Sequence, residues 1–582
     1  MILQALVEHY EDLRERKEVP RYGWVLQKVS YALCLNDEGA LVRVLPTKSE
    51  QMRGKKSVLA PLSMVIPAQC KRSSGIASNF LCDNSSYMLG VDEKGKPDRA
   101  LQCFEDCKKL HEEILEGVDS PIAKALLRFF NSWNPKLAHE NSILGEYWED
   151  IVSGCNLVFR HDGDGRFLQD VPELAEAWNR RYLAASDGME MVCLASGRKL
   201  GVEAVHPAIK GVRGAQSSGA ALVSFNCDAF CSYGKKQNYN APISKYAAFA
   251  YTTALNHLIA DYDHVQYVGD TAMLCWVSGA EPEYQSLYNS LLTDSSERYS
   301  RQDIWDKAER LAGGQLVEFE ESRLDPNRQF YVLGVAPNAA RLSVRFFLRN
   351  SFGQFVKNVL RHHQRLEIVS PNDGAFELPL WKLLNETVNQ NSKEKSASPT
   401  MAGEVLRAIL LDSRYPVTLL NGVSLRIHAE HEVTPGRAAI IKAYYLKNSH
   451  PDVPKEVLQM SLNFDCTNVS YLLGRLFFAL ENIQRAANPG INSTIKDKFF
   501  NSASATPASV FPTLINLAQK HLRKIDGEGL RVKLEKDFAE VMDKLGETFP
   551  PRLNLAQQGS FQLGYYHQRQ FQFQKKNKDT EE

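Results

Sequence analysis

The sequence predicts an α+β protein: a mixed α/β N-terminal region with antiparallel sheets, followed by an α-helical bundle at the C-terminal end. Three observations predict it. Residues 20–95 alternate aromatic and aliphatic positions with polar ones and are punctuated by turn residues. Beyond residue 402 apolar side chains recur at i, i+3 and i+4. Between the two regions lies VNQNSKEKSASPTMA, residues 388–402, polar and of low complexity. The expected organisation is therefore 1–387 as a mixed α/β region of one or two subdomains, 388–402 as a linker or mobile loop, and 403–582 as the helical region. At 582 residues the chain is too long for one ordinary core.

Taken in order, Met1–Pro20 reads as an amphipathic helix broken by charges. Tyr22–Val29 and Tyr31–Leu45 read as strands, with Asn36-Asp37-Glu38-Gly39 supplying turn chemistry for a hairpin. Residues 99–137 have helical period through Leu101, Phe104, Leu110, Ile114, Leu126 and Phe129. Tyr246–Ile259 reads as a helix leading to the strand Thr271–Val277; strands Phe330–Val335 and Arg341–Leu348 then precede a helix, Gly353–Arg365. The C-terminal helices are expected at Val405–Leu411, Gly436–Tyr445, Val469–Ala487, Pro512–Arg523 and Leu530–Leu545, with Asn488-Pro489-Gly490, 502–509 and Asp526-Gly527 as breaks. From Met460 onward they make a bundle-sized unit.

Composition bounds the function. A formal net charge of zero excludes a uniformly basic shell, so nucleic-acid binding has to come from local patches. Eleven cysteines without a CxxC pair fit reduced thiols better than a disulfide framework. No basic-then-apolar leader and no apolar run of membrane-spanning length is present, which predicts a soluble, intracellular protein with no membrane partner.

Lys210–Lys245 is the richest stretch for ligand chemistry. Lys210, Arg213, Lys235, Lys236 and Lys245 face only Asp228, and Gln216, Ser217, Ser218, Asn226, Gln237, Asn238 and Asn240 add groups that both donate and accept hydrogen bonds. That is the chemistry asked for by phosphate oxygens and base edges, and it holds a ligand rather than transforming one. A second basic stretch, 46–75, sets Lys48, Arg53, Lys55, Lys56, Lys71 and Arg72 against Glu50. In the strand after Arg341, strict alternation puts Arg341, Ser343, Arg345, Phe347 and Arg349 on one side, either a phosphate-tracking face or a solvated, salt-bridged one.

Catalytic constellations are not apparent. His161-Asp162 has the residue pair of a metal-dependent nuclease, but Gly163-Asp164-Gly165 makes it read as a turn. His428 and His431 lack a ligand cluster and read as surface or cap residues; His362-His363, beside Arg361 and Arg365, reads as a solvated helix face. Gly54-Lys55-Lys56-Ser57 and Gly234-Lys235-Lys236 lack the upstream glycine of a phosphate loop, and GAQSSG, 214–219, fails GxSxG spacing. No cofactor and no metal is expected.

GIASNFLCDNSSYMLG (75–90), KGVRGAQSSGAALVSFNCDAFCSYGKKQNYNAPIS (210–244), Gly269-Asp270-Thr271 with Trp276, and FYVLGVAPNAARLSVRFF (330–347) together resemble the large subunit of the type I-C CRISPR surveillance complex, Cascade. The resemblance implies a non-catalytic prokaryotic cytoplasmic protein at the 5′-handle end of a crRNA ribonucleoprotein, beside a handle-binding subunit, backbone subunits and small subunits. It implies recognition of the protospacer-adjacent motif (PAM) in double-stranded target DNA, duplex opening, R-loop stabilisation through the displaced strand, and recruitment of a helicase–nuclease. On that reading the loop 214–219, with Gln216, Ser217 and Ser218, enters a groove. Asn79 and Asn84, backed by Lys71 and Arg72, are second candidates, as is Tyr233 with its neighbouring lysines. Asn84 and Asn226 serve equally well as turn caps.

In that family the small subunit is similar to the C-terminal part of the large one and arises by internal translation. Here Met460 would start a product of residues 460–582, after Lys455-Glu456, which AAGGAG can encode, and three spacer codons. The competing classes are a metal-dependent nuclease using His161 and Asp162, and a scaffold that binds only protein.

Overall fold

The computed structural model describes residues 1–573 other than 54–55, 71, 73–74, 94–96, 185–188, 262–264, 294–298, 371–375 and 394, with backbone alone for 51–53, 56–58, 97 and 573. Two compact units divide the chain, one of 1–207 with 223–255 and one of 208–222 with 256–582.

In the first unit the helix Ile2–Glu15 buries Leu6, Tyr10 and Leu13. Tyr10 and Tyr22 meet Tyr246 and Phe249 edge-on, with centroids 5.3–6.1 Å apart, an aromatic cluster that fastens the helix. The expected hairpin is present as Tyr31–Leu35 antiparallel to Leu41–Pro46. Asn36 Oδ1 accepts from the amides of Glu38 and Ala40 at 3.1 and 2.8 Å, which is why asparagine opens this turn. Tyr31–Leu35 also pairs in parallel with Asn156–His161, and all five of its residues are buried, because both sheet faces are covered. Cys82–Asn84 completes that four-stranded sheet, while Trp24–Val29, Lys56–Pro67 and Lys48–Arg53 form a separate antiparallel one. The helical stretch 99–137 is two helices, Pro97–Leu115 and Pro121–Ser132, then a 3₁₀ turn, Pro135–Glu140. Gly117, at φ +73°, ends the first; Pro121 starts the second where its missing N–H costs nothing.

The second unit holds a four-stranded antiparallel sheet in chain order, Gln266–Val268, Thr271–Val277, Gln329–Asn338 and Arg341–Ser351. One face, through Met273, Cys275, Phe330, Val332 and Phe346, packs in a cluster with Tyr284, Tyr288, Phe352 and Phe355 of the helices Pro282–Leu292 and Phe352–Leu366. The register slips between Gly334 and Val335, so that Gly334 opposes Phe346 but Val335 opposes Val344. Arg345 is the extra residue of a bulge. This corrects the single arginine face: beyond the bulge the side chains exchange sides, so Arg349 and Phe347 share one face and Arg341 and Ser343 lie on the other. Gly334 makes room for the ring, since a Cβ there would meet Phe346 at 2.6 Å.

A second correction concerns His362 and His363. They do not lie on a solvated face: His362 is 3% exposed with Nδ1 2.6 Å from the Tyr415 hydroxyl, and His363 Nε2 is 3.1 Å from the Leu291 carbonyl. Burial pushes His363 down to about 4, so both rings are neutral at physiological pH. The stretch 388–402 lies inside the second unit; Met401 and Ala402 open the buried face of the helix Pro399–Leu410 and share a core with Met273 and Phe477.

The bundle contains the expected helix Val469–Ala487, with Pro507–Leu522, Glu528–Lys544 and three helices the apolar spacing did not reveal: Val417–Glu430, Ile495–Ala505 and Leu555–Phe573. Leu555–Phe573 buries Gln562, His567, Gln568 and Gln570 among apolar neighbours. Its polar groups meet Val469–Ala487: Arg475, fully buried, donates to Gln568 at 2.8 Å, Tyr471 Oη lies 2.9 Å from His567 Nδ1, and Tyr565 donates to Glu481 at 2.8 Å. Such pairing offsets part of the desolvation cost that a buried polar face carries, while the Gln562 side chain is buried without a hydrogen bond. The two helices touch backbone to backbone, because Gly474 and Gly564 each lie where a Cβ would overlap a facing carbonyl.

Candidate nucleic-acid interface

The basic stretch 210–245 is shared out, 210–222 to the second unit and 223–245 to the first. In the second unit Ile209 and Ala220 exchange two backbone hydrogen bonds, of 2.9 and 2.8 Å, which close 210–219 into a loop. Gly219 sits at the neck with φ +99°, where a Cβ would lie 2.9 Å from the Ile209 carbonyl, so only glycine fits. Gln216, Ser217 and Ser218 are exposed at the tip, around a turn closed by Gly219 N to Gln216 O at 2.9 Å. Lys210 and Arg213 are exposed on the same loop; the Lys210 amide donates to Asn256 Oδ1 at 2.8 Å, and the Arg213 guanidinium lies 4.3 Å from the Tyr267 ring centroid. The Asn256 and Tyr267 contacts, which sequence reasoning missed, fix the loop's direction. They join residues 46 and 54 positions apart by placement rather than by pattern.

Ala221 continues from the loop into a parallel bridge with Arg341, its carbonyl accepting from Leu342 N at 2.9 Å. The loop therefore brings Lys210 and Arg213 onto the same edge as Arg341. Arg345 pairs with Asp270 at 2.7 Å, and Arg349 donates to Gln329 at 2.9 Å, 6.0 Å from the Tyr331 ring. Exposed pairs of this kind are worth about 0–1 kcal/mol, so either arginine can exchange its partner for a phosphate at little cost.

In the first unit residues 226–237 are exposed apart from a half-buried Cys231, and this stretch presents Asn226, Tyr233, Lys235, Lys236 and Gln237. Asn238 is 3% exposed, and the Asn240 side chain is turned inward onto Ser232, Lys235 and Gln237. These two asparagines hold the loop rather than face outward. Its base is anchored at Cys193, whose Sγ accepts from Ser244 N at 3.2 Å; burial alone would raise this thiol, but the amide of Ser244 and the Ser196 hydroxyl bring it down to about 7.

The second basic stretch contributes less free charge than its count suggests. Arg72 makes a two-pronged pair with buried Asp83 and lies 3.8 Å from the Tyr87 centroid; Lys48 is held by Asp150 and, at 2.8 Å, the Tyr31 hydroxyl. Lys48 in turn holds the Asp150 carboxyl below the usual carboxylate range. Asn79, 5% exposed, accepts from Cys70 N at 2.8 Å, and Asn84 caps the short helix Ser85–Met88 by accepting from Ser86 N at 3.1 Å. Lys55 and Lys71 lie outside the described residues, as do the side chains of Arg53 and Lys56.

His161 takes Asp164 on Nδ1 at 3.1 Å and Asp37 on Nε2 at 3.0 Å, while Asp162 pairs with Arg43 at 2.6 Å. Carboxylates on opposite ring nitrogens fix a ring in a turn rather than gather ligands about one point. His431 is the left-handed residue ending Val417–Glu430 and accepts from Asn501 at 3.1 Å, a cap as expected. Among the described residues no cluster of three or more His, Cys, Asp and Glu is arranged for a metal ion, and no helix is long and apolar enough to cross a membrane.

A family model described as CRISPR-associated protein (Cas_Csd1) matches residues 6–573. No curated protein shows a match to the chain.

Proposed function

The chain belongs to the CRISPR-associated Cas_Csd1 family, which supports its reading as a Cascade large subunit, and we propose from this premise that it serves a type I-C complex as the non-catalytic subunit that recognises the PAM in target duplex. The observation that carries the reading is the closed loop 209–220, with three small or flexible polar side chains at its tip and Lys210 and Arg213 on its flanks. No bulky group lies between Gly214 and Gly219, so the tip is narrow enough for the roughly 6 Å minor groove. There Gln216, Ser217 and Ser218 can both accept from a guanine amino group and donate to the acceptors every pair presents, a readout of G·C against A·T. The cations clamp flanking phosphates and position the duplex without reading it. Duplex opening, stabilisation of the displaced strand and recruitment of a helicase–nuclease belong to the same proposal.

The test is target-duplex binding by a crRNA-loaded complex reconstituted with and without this chain, on DNA with intact or scrambled PAM, at two salt concentrations. The chain is expected to confer PAM-dependent, salt-sensitive binding without strand cleavage, with or without chelator. Alanine at Gln216, Ser217 and Ser218 together is expected to weaken PAM-bearing duplex about tenfold or more while leaving assembly intact. Equal binding by this variant and the parent would remove the loop from the PAM site.

We also propose that residues 460–582 are made separately as a small subunit from an internal start at Met460. Among its described residues the segment carries five helices of the bundle, with Val469–Ala487 packed against Leu555–Phe573. Met460 precedes them at 55% exposure, so alanine there disturbs the fold little. Expression of the intact gene with Met460→Ala is expected to lose the small C-terminal product; a band persisting at the same mass would reject the internal start.

A further inference from the structure

The turn Ser232–Lys235 carries a residue that the fold itself does not use. Lys235 N donates to Ser232 O at 3.1 Å, and the central residues Tyr233 and Gly234 have φ of +55° and +68°. Positive φ at both centres defines a type I′ turn, whose central positions favour asparagine, aspartate or glycine. A tyrosine there is strained, and its ring, 99% exposed, gains no burial in return. The turn is nonetheless held in one geometry by a single side chain: Asn240 Oδ1 accepts from Ser232 N at 2.8 Å, and its Nδ2 donates to the carbonyls of Lys235 at 3.1 Å and Gln237 at 2.9 Å. Gln237, at φ +47°, is a second strained residue inside the same clamp.

Lys235 and Lys236 stand exposed beside the ring, and from Ala229 to Ala260 the sequence contains no aspartate or glutamate. The local field therefore favours a polyanion. A rigid aromatic ring projecting next to two cations fits one ligand chemistry in particular: an unpaired base stacked on the ring, with its neighbouring phosphates on the lysines. A protein partner is gripped by an apolar patch of several residues, whereas the turn Ser232–Lys235 itself carries one aromatic ring beside a lysine. We propose that Tyr233 is a stacking platform for an unpaired base of target DNA. The proposal rests on the nucleic-acid reading given above and assigns the part of it that contacts single-stranded rather than paired DNA.

The test compares the full chain with Tyr233→Phe, Tyr233→Ala and Tyr233→Asn. Affinity is measured for a single-stranded DNA carrying 2-aminopurine, for the same strand as RNA, and for a blunt PAM-bearing duplex. Asparagine is the residue the turn prefers, so Tyr233→Asn removes the ring while strengthening the scaffold. Expected are a loss of about 5- to 150-fold on single-stranded DNA for the Ala and Asn variants, parental affinity for Phe, and a smaller loss on blunt duplex, which presents no unpaired base to the ring. Quenching of 2-aminopurine should occur with the parent and Phe variant only. Unchanged single-strand binding by the Ala and Asn variants would overturn the stacking role, as would a loss confined to the RNA strand. Either result, accompanied by PAM-dependent duplex binding of the parent, leaves the nucleic-acid reading standing. A parent that binds neither DNA, alone or within the crRNA-loaded complex, overturns both.

Discussion

Replacing Gly564 with valine is expected to lower the stability of the C-terminal bundle by at least about 3 kcal/mol. A Cβ at Gly564 would lie 2.0 Å from the Tyr471 carbonyl oxygen, and one at Gly474 would lie 1.9 Å from that of Phe561. The obstacle on each side is backbone, which no side-chain rotation can relieve. The two helices would have to move apart, and their shared contacts, including buried Arg475 with Gln568, would separate with them. Arg475 keeps its two-pronged pair with Glu540, at 2.9 and 3.0 Å, so the loss falls on packing and on the Gln568 bond. Chemical denaturation of the full chain followed by helical circular dichroism is the measurement, and Gly529→Ala is the control. Gly529 lies in the helix Glu528–Lys544, and a Cβ added there would meet nothing within 4 Å, so alanine should stabilise by up to about 1 kcal/mol. A Gly564→Val midpoint equal to the parent's would show that the helix pair is not in backbone contact.

Reversing Lys210 and Arg213 to glutamate is expected to reduce the slope of log affinity against log salt by about 2, the share of two phosphate contacts. Both side chains are exposed, and of the two only Arg213 is engaged with a ring, so the loss falls on binding rather than on folding. The weakening should be similar for intact and scrambled PAM, because phosphate contacts carry no sequence. A salt slope unchanged from the parent's would exclude both residues from the phosphate path. A loss confined to intact PAM would move them into the reading group.

What was legible in the chain follows from which interactions are local. The hairpin at Tyr31–Pro46 could be read because Asn36 satisfies amides two and four residues ahead, a bond written into adjacent letters. The helix Val469–Ala487 could be read because its buried face is apolar with only Arg475 and Glu481 as charged exceptions. The helix Leu555–Phe573 could not, since its buried positions include Gln562, His567, Gln568 and Gln570, and the partners of His567 and Gln568 lie 96 and 93 residues away. Burial pushes His567 down to about 3, so a ring that reads as polar is packed as a neutral one. The arginine face failed for a different reason: period-two reasoning assumes an unbroken ladder, and one extra residue at Arg345 reverses every assignment before it. In the candidate interface, the exposed tips of both loops fell inside the stretch chosen from composition. The division of that stretch between two compact units, and the inward roles of Asn238 and Asn240, emerge only from the folded chain.

The double bridge between Ile209 and Ala220 has a consequence for timing. A ten-residue loop left open would have to find its shape on any ligand, and each encounter would wait on that search. Closed at its neck, the loop finishes its search while the protein folds, and the ordering entropy is lost then rather than at the target. A surveillance complex meets far more wrong sites than right ones. On the proposed reading, a loop already shaped lets each wrong site be rejected as fast as the contacts themselves dissociate, and the lifetime on DNA would be a property of the base pairs under the tip.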